Sequence, residues 1–307
     1  MAEAALENKF RFSRRDLFFS LFSLLLFLLG AETIRQVIRF ALDMENSHAS
    51  QILTVPFVSG WLIWIKRKTI FRGARSSLLP GAMVIALGAL LFGLGKAGVF
   101  SISNGPVTLS PNDYLSFVTV SLIMLWLGGF LLTYGPMTFR AALFPLLFFF
   151  WAVPIPRAIL DGIIGILQAG SADVAYVLIK LTGIPVYREG FVFVMPDLVI
   201  EVAAACSGIR SAIAIFIATL IAGHLFLRSS RKKIFLLCVA IPILFVKNAI
   251  RIAVLIWLAV RWNKEVLTSS LHTDGGVVFF VLGLCMLFPV LALLIKSERY
   301  HSTSSAG

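Results

Sequence analysis

The chain has 307 residues, enough for two ordinary soluble domains, but 59% of them are apolar and only 14% charged, against about 45–50% and about 25% in soluble globular proteins. With a mean hydropathy of +0.94 and 27 phenylalanines, too little polar surface is left to cover a globule in water, so the composition excludes a soluble protein and predicts an integral membrane one. The formal charge of +12 does not indicate nucleic acid, because the cations lie mostly between apolar runs and no zinc-finger spacing or RNA-binding aromatic motif accompanies them.

In chain order, the first apolar run, Leu17 to Leu42, follows Lys9, Arg11, Arg14 and Arg15. That basic flank opens either a signal peptide or a retained span, and no small-x-small cleavage site ends the run, so a retained span is expected. Further runs cover about Gln51 to Ile65, Leu78 to Phe100, Tyr114 to Thr133, Ala141 to Val153, Ala204 to Leu227, Ile234 to Val260 and Gly275 to Ile295. The expected fold class is therefore all-α: a polytopic membrane protein of about eight spans, forming a single integral membrane domain over 1–307 with a short disordered tail at 301–307. The second and fifth runs are short for a bilayer of about 30 Å at about 1.5 Å per residue.

Lys and Arg distribute unevenly over alternate sides of those eight spans. Sixteen fall on the side of the N-terminus, Lys66 to Arg75, Arg140, Arg228 to Lys233 and the C-terminal tail. Five fall on the other: Arg157, Lys180, Arg188, Arg261 and Lys264. The positive-inside rule then puts both termini in the cytoplasm. Six cations, Arg35, Arg39, Lys96, Arg210, Lys247 and Arg251, lie within spans.

Between the fifth and sixth spans, Pro154 to Glu201 is too long for a simple connection and is expected outside. Arg157 to Leu181 has apolar residues at helical spacing with Asp161, Gln168, Ser171 and Asp173 elsewhere, which fits an interfacial helix; a ninth span there would invert the charge count downstream. Residues 184–196, rich in β-branched and aromatic side chains and bounded by Pro and Gly, read as a short extended ribbon that delivers the chain to Cys206.

Ionisable groups within a bilayer are costly, so Arg251 is a functional candidate; it lies about nine residues, or roughly 13 Å, from the outer end of its span. Lys247 stands four residues earlier on the same face with Asn248 beside it, giving a polar stripe that faces the bundle, for function or for helix packing. Cys206 opens the sixth span in Cys206-Ser207-Gly208-Ile209-Arg210-Ser211. A helix N-terminus favours a thiolate, and Arg210 one turn later would add to the effect. Cys238 and Cys285 sit in unbroken apolar sequence and read as small fillers. No two cysteines form a CxxC pair, so neither a disulfide framework nor structural zinc is expected. His272, at the outer mouth of the eighth span, can exchange protons near neutral pH, whereas His48 and His301 read as solvated. With four histidines and no HExxH, no metal or other cofactor is expected. The charge-derived topology brings Cys206, Arg251 and His272 to one membrane face, and nucleophile, oxyanion holder and proton carrier are the parts acyl transfer requires.

The same residues resemble the exosortase/archaeosortase family of membrane-embedded transpeptidases, over about 154–294. The resemblance rests on Pro154-Ile155-Pro156, on Gly183-Ile184-Pro185-Val186 with Gly190 after it, and on Cys206-Ser207-Gly208-Ile209-Arg210-Ser211. Asn248-Ala249-Ile250-Arg251-Ile252 and His272 four residues before Gly276 complete it in family order. It implies a Cys206, Arg251, His272 catalytic set, with Arg210, Asn248, Ser207 and Gly208 in support. It also implies partners: exported proteins bearing a C-terminal motif, one hydrophobic span and a basic cluster, processed at the outer face of a bacterial cytoplasmic membrane, commonly alongside exopolysaccharide production. Many bacterial members carry an acidic residue two before the cysteine; this chain has Ala204 there, with Glu201 upstream.

Two readings from other classes compete with a cysteine peptidase or transpeptidase. One is a transporter or flippase for an anionic lipid-linked saccharide, with Lys247, Arg251 and Arg210 as the headgroup site. The other is a non-catalytic assembly scaffold for envelope secretion, whose function no thiol reagent would touch. Neither needs Cys206. Membrane lipids are expected partners of the chain under the peptidase reading.

Overall fold

The computed structural model describes residues 13–43, 47–101, 106–196, 198–263, 265 and 276–304. The chain is an all-α polytopic membrane protein. Among the described residues, six helices are long and apolar enough to cross a membrane, and a seventh span forms if the bent pair α1 (Arg14–Leu29) and α2 (Ala31–Leu42), which meet at 70°, is one broken crossing. The helices of the second and fifth apolar runs are shorter than the eight-span reading requires, while Arg157–Leu181, expected at the interface, has the length and hydropathy of a span. The chain divides into two compact units, Met1–Arg157 and Ala158–Gly307.

In the first unit, α1 starts at a capping box in which the Ser13 hydroxyl accepts from the Arg15 N–H and the Asp16 carboxylate accepts from the Ser13 N–H at 2.9 Å. This pairing satisfies donors that every helix start leaves open. The second Asp16 oxygen accepts from the Tyr134 hydroxyl at 2.9 Å, so the cap also ties α1 to α5 (Pro111–Ala141). The unit continues through α3 (Val55–Ile70) and α4 (Leu78–Lys96). Helix α5 is broken near its end by Gly135-Pro136, after which α6 (Leu143–Phe148) and a 3₁₀ turn lead the chain back along it. Phe139 meets Phe130, the Phe149 ring stacks on Trp126 at 5.4 Å, and the Ser116 hydroxyl donates to the Pro154 carbonyl at 2.7 Å. A segment this short can accompany a long helix because Ala142, Leu146 and Phe148 are buried in protein, where van der Waals packing and hydrogen bonds replace lipid contact. At its end Asn112 donates to the Ile155 carbonyl and the Asp113 carboxylate accepts from the Arg157 N–H.

The second unit begins with α7 (Arg157–Leu181, its first residue in the other unit) and continues into a three-stranded antiparallel sheet of β3 (Tyr187–Glu189), β4 (Val192–Met195) and β5 (Leu198–Glu201). Two more short strands, β1 (Phe100–Ser101) and β2 (Val107–Thr108), pair in the first unit. The expected ribbon is thus the first two strands of a sheet with a third, Val194 lying between Tyr187 and Val199. Period-two alternation puts Phe193 and Met195 inward, where they pack with Ala172, Ala175 and Ile179 of α7 and with Ala249, Ile252, Ala253 and Ile256 of α9 (Ser230–Arg261). Helices α8 (Ile209–Phe226) and α10 (Gly276–Ser304) complete the unit. The last helix runs into the stretch read from sequence as tail. The Glu298 carboxylate accepts from the N–H groups of Arg228 and Ser229, at 2.9 Å each, and Lys232 donates to Ser297 at 2.7 Å. An acidic side chain of α10 therefore caps the N-terminus of α9, where the helix dipole favours negative charge.

Candidate active site

The route to Cys206 is fixed residue by residue. After β5, the Val202 N–H donates to the Phe191 carbonyl at 2.9 Å and the Val202 carbonyl accepts from the Gln168 side chain of α7 at 2.5 Å. The chain then makes a 3₁₀ turn over Ala204–Ser207, in which the Cys206 N–H donates to the Ala203 carbonyl at 2.8 Å. Gly208 follows with φ +70° and ψ 24° and serves as N-cap of α8. A side chain there would be strained by that φ, and a Cβ would also come within 2.6 Å of the Asn248 Oδ1. The turn can lie against α9 because residue 208 is glycine.

Helix α9 holds the turn in return. The Asn248 Nδ2 donates to the Cys206 carbonyl at 3.0 Å. One position earlier, the Lys247 Nζ donates to the Ser211 hydroxyl, which donates onward to the Gly208 carbonyl at 3.0 Å. Lys247 and Asn248 are each 1% exposed. Removing such groups from water costs several kcal/mol unless hydrogen bonds replace hydration, so these bonds are what makes the burial tolerable. The Ser207 hydroxyl and the Asn248 Oδ1 are buried without a partner among the described residues.

The structure thus brings together four expected residues, Cys206, Ser207, Gly208 and Asn248, and adds Lys247 and Ser211. Arg251 is partly buried on α9, three residues beyond Asn248 on the same face. Arg210 does not bear the expected relation to Cys206. The one-turn rule assumes a continuous helix between them, but the left-handed Gly208 interrupts it, and Arg210 is exposed on the first turn of α8. His272 lies outside the described residues. Cys238 and Cys285 are exposed along α9 and α10, while Cys206 packs partly buried against the α7–sheet–α9 core. Among the described residues, no three His, Cys, Asp or Glu side chains cluster as metal ligands would.

Sequence reasoning left Ser211 without a role. The signal available was a Ser three residues after a Gly at a helix start, a spacing that lets a hydroxyl reach back to a carbonyl. Electrostatically the site is one-signed: the N-terminus of α8, the Lys247 ammonium and the Arg251 guanidinium all favour negative charge nearby.

No curated protein and no solved structure matches the chain. The family model described as transmembrane exosortase matches residues 43–289. That stretch runs from before α3 into α10 and carries the whole Cys206 turn together with the helix that grips it. On the breadth of that match, the chain belongs to the transmembrane exosortase family.

Proposed function

We propose that this chain is a cysteine peptidase or transpeptidase that cleaves the C-terminal sorting signals of exported proteins at the outer face of the cytoplasmic membrane. The Cys206 thiolate attacks the scissile carbonyl carbon, and the tetrahedral oxyanion is held by Arg251. His272 gives a proton to the leaving amine as the C–N bond breaks, leaving a Cys206 thioester. Water then releases an acid, or an amine or hydroxyl acceptor takes the acyl chain. The substrate is an exported protein whose motif, hydrophobic span and basic cluster follow the family pattern, and no cofactor enters.

The observation that carries this reading is the hydrogen bond from Asn248 to the Cys206 carbonyl, since the helix that holds the cysteine turn carries Arg251 one turn further on. The transporter reading is less well supported, because its headgroup site needs Lys247 open to a ligand and Lys247 is buried against Ser211.

Two substitutions test the proposal. Cys206→Ala should abolish release of the sorting signal from a C-terminally anchored substrate with the protein still folded, and Cys238→Ala should leave release unchanged. Equal loss from both would overturn the assignment. Mass spectrometry of the wild-type enzyme with a sorting-signal peptide should detect the acyl adduct on the peptide containing Cys206.

A further inference from the structure

The Cys206 turn and the first turn of α8 meet α9 at two polar points, the Cys206 carbonyl and the Ser211 hydroxyl, and the Gly208 carbonyl between them also accepts the Ala212 N–H of α8 at 2.9 Å. Asn248 holds the first directly. Lys247 holds the second, and Ser211 passes the hold to the Gly208 carbonyl within α8. An ammonium has donors only, so the Ser211 oxygen must accept from Lys247, and its hydroxyl proton is left to point at the Gly208 carbonyl. The lysine therefore sets the direction of the serine's bond. A buried aliphatic side chain would fill the same volume without the cost of desolvating an ammonium, so packing alone does not account for Lys247.

We propose that Lys247 and Ser211 are positioning residues that, with Asn248, latch the Cys206–Gly208 turn to α9 at two points and so fix where the thiol meets the substrate carbonyl. This inference rests on Cys206 being the nucleophile. Neither residue touches the reacting atoms. Both act through the backbone of Gly208, two residues past the cysteine, and a nucleophile displaced by about 1 Å loses on the order of a hundredfold in rate.

The test uses the full chain in lipid nanodiscs, with Cys238→Ala and Cys285→Ala as background. Variants Lys247→Met, Ser211→Ala, the pair combined and Ser211→Thr are compared for kcat and KM on a sorting-signal peptide. The rate at which a small maleimide alkylates Cys206 is measured in parallel. Lys247→Met and Ser211→Ala should each lower kcat roughly tenfold or more with KM within about twofold. The double variant should be no slower than the worse single, because one chain of bonds is cut once. Ser211→Thr, which keeps the hydroxyl, should return most of kcat. Alkylation of Cys206 should shift by roughly threefold or more in the two single variants and revert in Ser211→Thr. Multiplied losses in the double variant, or Ser211→Thr no better than Ser211→Ala, would overturn the proposal, as would wild-type kcat in both singles. Should Lys247→Met fail to fold, the Ser211 pair alone decides. If Cys206→Ala retains processing, it is the nucleophile that is wrong, and the alkylation rates still judge the latch.

Discussion

Gly208 concentrates the site's geometry in one residue. Two separate penalties meet there: a left-handed φ of +70°, and a Cβ that would press on the Asn248 amide and lie 3.1 Å from the Lys247 Nζ. Gly183 provides the comparison, having φ +76° but open space around its Cα. Alanine at Gly183 should cost only the conformational term, about 1 kcal/mol. Alanine at Gly208 should cost roughly 2–4 kcal/mol, because the turn must also part from α9. Thermal melts of the two variants give the difference, and signal release should fail in Gly208→Ala alone. Equal melting shifts would mean that the turn does not lie against Asn248. At Arg251 the question is shape rather than charge. Lysine keeps the positive charge but not the planar fork, so Arg251→Lys should lower kcat by about a hundredfold with the fold intact, as loss of a transition-state donor does.

The elements divide into those that reveal themselves by pattern and those that depend on a partner distant in sequence. Helices α4, α5, α8 and α9 follow from apolar runs bounded by polar or basic residues, and the stripe of Lys247, Asn248 and Arg251 follows from helical spacing alone. What those side chains grip does not follow, because Ser211 and the Cys206 carbonyl are 36 and 42 residues away. Strand β5 was missed for a similar reason: Leu198-Val199-Ile200-Glu201 is too short to announce itself until β4 is there to pair with it. The start of α8 was misjudged because the apolar run through Ala204 and Ala205 is continuous, and only the backbone shows that Gly208 turns left-handed. The length of α7 was legible, yet its amphipathic spacing suggested an interface position and the structure gives it the dimensions of a span. The cap of α9 also belongs to this scale, since Glu298 supplies from α10 what the local sequence lacks. Glu298→Ala should cost about 1 kcal/mol, toward the low end because the carboxylate lies near solvent. It should also speed hydrogen exchange at the Arg228 and Ser229 amides while leaving that of the sheet unchanged. Unchanged exchange at those two amides would mean that the carboxylate does not hold them.

For the molecule as a whole, the decisive quantity is the side of the membrane on which the Cys206 turn opens. The expectation that it opens outside comes from the positive-inside count over eight apolar runs with α7 at the interface; a crossing α7 inverts everything after it, so labelling decides. Helix α8 separates Cys206 from the basic cluster around Arg231 by one crossing of 18 residues, about the span of a bilayer core. Val199 reports on this well, being 65% exposed on β5, the strand that leads into the turn. In a chain with Cys206, Cys238 and Cys285 all replaced by alanine, Val199→Cys should react with a membrane-impermeant maleimide on intact spheroplasts. Arg231→Cys, exposed at the start of α9, should react only after permeabilisation. Activity is not needed for this readout, so removing the nucleophile does no harm to the test. The reverse pattern would put the cysteine turn in the cytoplasm, where an exported substrate has no access to it, and the sorting role would fall even if Cys206 proved reactive.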